Sequence, residues 1–207
     1  MAYLADFEND LFISYARLNN QSDTDDGEGW VSRFHARLES ELKQLAGREL
    51  KIWRDLQDLE RNQLFDVTIK RAVEQSGLLV VINSLSWKAS TYCQEEARWF
   101  GERAQQDGWG LAIGDRKRVF NVRFNNIPYT EWHPVLSGAN PYNFFEAEAE
   151  DDVALPLSPK ANSSNANCVC WCAIFSTRCA RSNSPKRIAS NRPRLLPAAN
   201  PPQFRRM

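Results

Sequence analysis

Residues 77–82 read GLLVVI, and this unbroken apolar run is the stretch that decides the fold class. A strand with one wet face alternates apolar and polar residues, whereas a parallel strand covered on both faces is apolar throughout. The run therefore predicts a central strand of a parallel sheet, with helices packed on both sides. Asn83 and Ser84, which follow it, place polar side chains at the carboxyl end of that strand.

Strands and helices alternate along the chain before and after this run. Short apolar segments at 9–15, 50–53 and 119–124 predict further strands. The last of these alternates apolar and polar residues, which predicts a position nearer the sheet edge. Apolar residues at helical spacing predict helices over 30–46, with Gly47 as the stop, and over 65–73. Ser90 is placed to cap a third helix. This alternation predicts an α/β sandwich around a parallel sheet.

The charge is divided unevenly along the chain. All 26 acidic residues lie in residues 1–152 together with 17 basic ones, a net charge of −9, and the remaining nine basic residues give the end of the chain +9. The segment 151–207 holds seven of the ten prolines and none of the nine glycines. It shows no helical or strand period, so we predict a disordered basic C-terminal tail after a folded domain at 4–150. A truncated or frame-shifted origin of this tail is an alternative.

Several classes of function are disfavoured by the sequence. Met1–Glu8 lacks the features of a signal peptide, and no apolar run approaches the roughly 18 residues of a membrane span, so we expect a cytoplasmic protein without a membrane segment. No glycine-rich phosphate loop is present. The acidic domain predicts no nucleic-acid partner. Four tail cysteines (Cys168, Cys170, Cys172 and Cys179) lack the paired spacing of a zinc site, and we expect no metal.

Residues with functional side chains follow the predicted strands. In a doubly wound sheet, ligands bind beyond the carboxyl ends of the strands. The residues that follow the first three strands are Tyr15, Ala16 and Arg17, then Arg54 and Asp55, then Asn83, Ser84 and Trp87. An arginine, a tryptophan and a residue of the third helix are therefore predicted to converge at one sheet edge.

The third helix begins in the stretch STYCQEEARWF, residues 90–100, and separates its two glutamates by direction. At about 100° per residue, Cys93, Ala97 and Phe100 form one stripe that is predicted to pack on the sheet. Glu95 points away from that stripe into solvent. Glu96 lies about 60° from it, at the border of core and water. Taken alone, the helix leaves both a structural and a ligand-binding role open for Glu96.

Motifs in the same order and spacing resemble the Toll/interleukin-1 receptor (TIR) domain family, with the bacterial branch closest. The resemblance covers about residues 4–150 and is carried by NDLFISYAR (9–17), IWRD (52–55), residues 69–76 and 78–84, S-x-Y-C-x-x-E (90–96) and the segment 133–145. It implies a TIR fold, a flavodoxin-like three-layer sandwich with a five-stranded central parallel sheet.

The resemblance also implies an activity. Many bacterial TIR domains cleave NAD+ at the nicotinamide–ribose bond, so NAD+ is expected as a substrate and no cofactor is required. The family's catalytic glutamate corresponds to Glu96, and a basic residue at its nucleotide site corresponds to Arg17. The other predicted substrate-binding residues are Tyr15, Trp53, Asp55, Ser84, Trp87 and Tyr92. Aromatic members of this set suit stacking on the cationic nicotinamide ring.

Two alternatives to this enzyme remain. TIR domains also serve as interaction modules that signal by TIR–TIR contact without catalysis, and the chain could be an inactive remnant. The family implies self-association and other TIR proteins as partners. Residues 53–62 correspond to a loop that gates the site and mediates assembly. Arg61 stands there where relatives usually carry glycine, which is expected to stiffen or re-aim the loop.

Overall fold

The computed structural model describes residues 6–22, 27–54, 63–113 and 116–145. Asp55, Arg61 and the predicted tail 151–207 lie outside the described residues. Within the described ranges, the strands are β1 Asn9–Ser14, β2 Ile52–Arg54, β3 Ser76–Asn83, β4 Ala112–Ile113, β5 Arg116–Lys117, β6 Val119–Arg123 and β7 Pro141–Asn143. The helices are α1 Trp30–Ala46, α2 Gln63–Glu74, α3 Leu85–Ala89 and α4 Thr91–Gln106, with 3-10 turns at Arg17–Asn20, Tyr129–Glu131 and Pro134–Leu136.

Five of these strands form one parallel sheet in the order β2-β1-β3-β6-β7. Counted within this sheet alone, the order is 2-1-3-4-5, that of the flavodoxin-like folds. The apolar run of β3 occupies the centre, where Leu79, Val81 and Ile82 are each fully buried. The predicted central strand and parallel sheet are therefore confirmed. Strands β4 and β5 pair separately as an antiparallel ribbon.

Helices cover both faces of the sheet, as the three-layer prediction requires. Helix α1 packs Val31, Phe34 and Leu38 on one face, each with no exposed surface. Residues of α2, α3 and α4 cover the other face, among them Ile69, Trp87 and Ala97. None of the helices in the described part of the chain has both the length and the apolar composition that a membrane crossing needs.

Helix α1 ends at the predicted glycine. Gly47 has a φ of +68° and its backbone N–H donates to the Lys43 carbonyl at 3.0 Å. A left-handed residue after the last turn closes a helix in this way, and glycine adopts that conformation without a steric penalty. Leu45, which shares the apolar period of this helix, nevertheless remains 51% exposed.

Strand β6 lies nearer the sheet edge than β3, as predicted, but it is covered on both sides. It lies inside the sheet because β7 pairs along its outer side, and Val119 to Val122 are all buried. Asn121, whose polarity produced the alternating pattern, has no exposed surface. The alternation therefore does not mark a wet face of the strand. The edge strand β7 is only three residues long and begins with proline, so it has no sequence pattern of its own.

Candidate active site

Glu96 lies in α4 at the carboxyl edge of the sheet. Ser90 caps the helix, accepting a hydrogen bond from the Cys93 N–H at 3.3 Å, as predicted. The predicted stripe is buried, since Cys93, Ala97 and Phe100 are each at most 4% exposed. Glu96 is also only 4% exposed. Glu96 is therefore more buried than the helix geometry predicts, because β1 and α3 pack against α4.

The carboxylate of Glu96 accepts a hydrogen bond from a strand residue. The Ser14 hydroxyl, at the end of β1, donates to Oε2 of Glu96 at 2.5 Å. Ser14 has no exposed surface. Hydrogen bonds from a hydroxyl to an ionised carboxylate are short and strong, and more so away from water. A buried carboxylate is thus held in place at the sheet edge.

Trp87 stabilises the contact between Ser14 and Glu96. Its side chain is 1% exposed, and its indole Nε1–H donates to the Ser14 hydroxyl oxygen at 2.8 Å. Helix α3 places it there, because the Ser84 hydroxyl oxygen caps that helix and accepts from the Trp87 backbone N–H at 2.9 Å. The Trp87 ring also meets His133 edge-on, with 6.3 Å between ring centroids. Burial lowers the pKa of His133, which favours its neutral form.

A cavity of about 220 Å³ opens beside Glu96, and we call it the carboxyl-edge cavity. Its walls come from the end of β1 and the turn after it, and from the first turns of α3 and α4. The lining residues are Ile13, Tyr15, Ala16, Arg17, Leu18, Ser86, Ser90, Tyr92, Cys93 and Glu96. The lining therefore combines apolar and aromatic side chains with a few polar groups and one buried carboxylate, as small-molecule sites do.

The turn that carries Arg17 and Leu18 is anchored by its last two residues. Asn19 is 8% exposed, and its Oδ1 accepts from the hydroxyls of Ser84 at 2.6 Å and Ser86 at 3.0 Å. Asn20 Oδ1 accepts from the Ser32 backbone N–H at 2.8 Å, which fixes the turn to the start of α1. These contacts hold one wall of the carboxyl-edge cavity against two helices.

The predicted site residues divide into three groups. Tyr15, Arg17, Tyr92 and Glu96 all line the carboxyl-edge cavity. Trp87 and Ser84 are buried behind it and hold its walls. Trp53 does not line it; its ring stacks on Phe12 with 5.0 Å between centroids. Asp55 lies outside the described residues, so its role stays a prediction.

Two residues of this site were missed by sequence reasoning. Ser14 is the one polar side chain that interrupts the apolar run of β1 near its end, and that interruption was the available signal. Ser86 lies three residues after the end of β3 and therefore falls at the same edge. The prediction named Ser84, two residues earlier, instead. Both hydroxyls gain their roles only from tertiary contacts.

Glu95 provides an internal contrast to Glu96. As predicted, it faces solvent, with a side chain that is 45% exposed and paired with Arg98. The hydrogen bond from Arg98 lowers the pKa of Glu95. Arg98 also pairs with Glu102 at 2.5 Å, so Glu95, Arg98 and Glu102 form a network of surface ion pairs along α4.

The chemistry available to the cavity is that of a carboxylate with aromatic and hydroxyl neighbours. Cys93 is buried, and its thiol donates to the Tyr15 carbonyl with 3.5 Å between sulfur and oxygen, which fits the predicted packing role rather than a nucleophile. In the described ranges, no group of three or more histidine, cysteine or acidic side chains is arranged to hold a metal ion. A buried carboxylate can stabilise a developing positive charge or orient the hydroxyls of a sugar.

Comparison with known proteins identifies the family. The TIR domain family model matches residues 11–157, and the chain belongs to this family. A search of curated proteins gives no significant match. Among solved structures, the chain is similar to the TIR domains in the activated Roq1 resistosome directly recognizing the pathogen effector XopQ, with 21% identity and a TM-score of 0.35. That match covers 56% of this chain and 57% of the solved chain, so the chain spans little more than half of that relative.

Proposed function

We propose that this TIR domain hydrolyses NAD+ at the bond between nicotinamide and ribose, with Glu96 as the catalytic carboxylate. One observation carries the proposal: Glu96 is 4% exposed, lines a cavity at the carboxyl edge of a doubly wound sheet, and is held by a hydroxyl donor at 2.5 Å. Ligands of such sheets bind at this edge. The family membership adds a known chemistry that a single buried carboxylate can support.

The reaction needs little from the protein beyond electrostatics and position. When the bond between C1′ of the ribose and the ring nitrogen breaks, nicotinamide leaves as a neutral molecule with the bonding electron pair. Positive charge then develops on the ribose, and an adjacent carboxylate stabilises it. Water adds to C1′ and releases one proton, giving ADP-ribose. In this proposal the Glu96 carboxylate also accepts hydrogen bonds from the ribose hydroxyls, as carboxylates do in glycoside hydrolysis.

The other cavity residues have matching roles in the proposal. Tyr15 and Tyr92 offer aromatic faces to the cationic nicotinamide ring. Arg17 is exposed at the same cavity, where its guanidinium suits the pyrophosphate. At about 220 Å³ the cavity is smaller than the roughly 300–1000 Å³ of common ligand pockets, so it suits the nicotinamide ribose half of the dinucleotide.

Self-association is part of the proposal. Leu18 lines the cavity yet is 65% exposed, and this exposed apolar side chain supports contact with a second copy beside the site. We therefore expect the rate of NAD+ cleavage per molecule to rise with protein concentration. A TIR interaction module without catalysis would also assemble, but would release no nicotinamide.

The test is NAD+ turnover by the purified full chain, concentrated or clustered on beads, with nicotinamide quantified by liquid chromatography. Glu96→Gln keeps the shape of the side chain and removes its charge, and is expected to lower kcat/KM by at least about 100-fold. The matched control, Glu95→Gln, is expected to stay within about twofold of the unchanged protein because this residue faces solvent. Equal loss in both variants, or no turnover in any assembled state, would contradict the proposal.

A further inference from the structure

We propose that Ser14 and Trp87 are positioning residues that form a buried hydrogen-bond relay, Trp87 to Ser14 to Glu96, and that this relay sets the orientation of the Glu96 carboxylate for catalysis. The catalytic part of this inference rests on the proposed function. The relay itself is a structural claim that can be tested without turnover.

The direction of each hydrogen bond in the relay is fixed by chemistry. An indole N–H only donates, so the Ser14 oxygen must accept at the 2.8 Å contact with Trp87. The hydroxyl proton is then left to point toward Oε2 of Glu96, 2.5 Å away. A carboxylate oxygen is the acceptor at this contact and the Ser14 hydroxyl is its donor. Rotation of the Ser14 side chain about its Cα–Cβ bond would move the oxygen out of both contacts.

Burial makes the relay energetically significant. Ser14 is 0% exposed and Trp87 1% exposed, so water does not replace a lost partner at either residue. Removing one partner of a buried hydrogen bond leaves the other with the full cost of its desolvation, which is largest for charged groups. Bonds in series in such a site also strengthen one another.

The three members of the relay come from three different elements. Ser14 ends β1, Trp87 lies in α3 and Glu96 lies in α4. The relay therefore fixes the carboxylate relative to the sheet as well as to its own helix. A catalytic group must be held within about 0.5 Å of its working position, and such a supporting contact is the usual means.

The kinetic test is a double-mutant cycle of Ser14→Ala and Trp87→Phe, the second of which keeps an aromatic ring while removing the N–H. Each single variant is expected to lower kcat by about 10- to 100-fold while KM changes less than threefold, because orientation of the carboxylate affects the transition state more than binding. The double variant is expected to be no worse than Ser14→Ala alone, because Trp87 acts through Ser14. Multiplicative losses, unchanged kcat, or loss confined to KM would overturn the positioning role. Thermal unfolding of every variant separates these effects from misfolding.

The structural test uses the indole N–H resonance of Trp87 in a ¹H–¹⁵N spectrum, assigned with Trp87→Phe. We expect this resonance to move in Ser14→Ala and, by a smaller amount, in Glu96→Gln, and to stay in place in Glu95→Gln. If the Trp87 resonance keeps its chemical shift in both Ser14→Ala and Glu96→Gln, the relay is overturned. Absence of NAD+ turnover in the unchanged protein would overturn the proposed function and the catalytic part of the inference, while this spectrum would still decide whether the relay exists.

Discussion

Gly29 lies where a methyl group has no room, and its replacement by alanine perturbs the wall of the carboxyl-edge cavity. An ideal Cβ on Gly29 would stand 1.8 Å from the Asn20 carbonyl oxygen and 2.4 Å from its carbonyl carbon. Non-bonded heavy atoms pack at about 3.5–4.0 Å, so the two backbone segments must separate by roughly 1.5–2 Å. The φ of Gly29 is −61°, so crowding rather than backbone conformation is the cause.

The cost of Gly29→Ala follows from what that separation breaks. Crowding of this kind costs about 1–3 kcal/mol. The movement also pulls Asn20 from the Ser32 backbone N–H, 2.8 Å away, a hydrogen bond with a net contribution of about 1 kcal/mol. We expect a total loss of about 2–4 kcal/mol in the free energy of unfolding, which corresponds to a fall in Tm of about 5–15 °C. Because the same turn carries Arg17, KM for NAD+ is expected to rise.

The matched control is Gly101→Ala in the interior of α4. Its ideal Cβ would meet only Cγ2 of Val135, at an ordinary 3.6 Å. Glycine inside a helix is about 1 kcal/mol less favourable than alanine, so this variant is expected to raise Tm by about 2–4 °C. Differential scanning calorimetry of both variants gives the comparison. A Gly29→Ala protein at least as stable as the original, with unchanged KM, would refute the reasoning about the turn.

Three further predictions concern stability. Asp107→Ala is expected to cost about 3–5 kcal/mol in urea unfolding, because the side chain of Arg118 is only 1% exposed and would lose its carboxylate partner at 2.8 Å, while keeping the carbonyl oxygens of Gly77 and Gly110 as acceptors; a loss below 1 kcal/mol would contradict this. Burial lowers the pKa of both His35 and His133. As the pH falls, the unfolded chain therefore binds protons before the folded chain does. We expect these two histidines to leave the free energy of unfolding unchanged above about pH 6.5 and to lower it as the pH falls below that value. A double His35→Gln, His133→Asn variant should lose less stability than the original between pH 7 and pH 5.5, and identical slopes would contradict the assignment. Gly47→Ala is expected to cost about 1–2 kcal/mol, since its φ is +68°, and an unchanged urea midpoint would argue against the left-handed cap.

The face of α4 shows how much of the site the sequence could predict. Periodicity alone separated Glu95 from Glu96 and placed Cys93 in the core, because a helix repeats its direction every 3.6 residues. Periodicity describes one helix, however, and cannot show what packs beside it. The burial of Glu96 comes from Ser14 and Trp87, which lie 82 and nine positions away in the sequence. The residue was therefore predictable, whereas its environment was not.

The central strand of the sheet was predictable from the sequence, whereas two short elements, β7 and α3, were not. The apolar run of β3 carries its own signal, since a strand buried on both faces needs apolar residues throughout. Strand β7 and helix α3 have three and five residues, too few to establish a period. Their short length left the edge strand β7 without a prediction of its own. It also concealed that Trp87 is carried by a helix of its own, separate from α4.

The central claim is that Glu96 cleaves NAD+ in the carboxyl-edge cavity, and proton NMR of the reaction tests it most directly. NAD+ is followed with the clustered full chain, so that loss of the nicotinamide–ribose bond and release of free nicotinamide are seen in one sample. We predict nicotinamide release by the original protein and by Glu95→Gln, with release by a folded Glu96→Gln protein reduced by at least about 100-fold. Nicotinamide released by Glu96→Gln at the original rate, or none released by the original protein in any assembled state, would contradict the account.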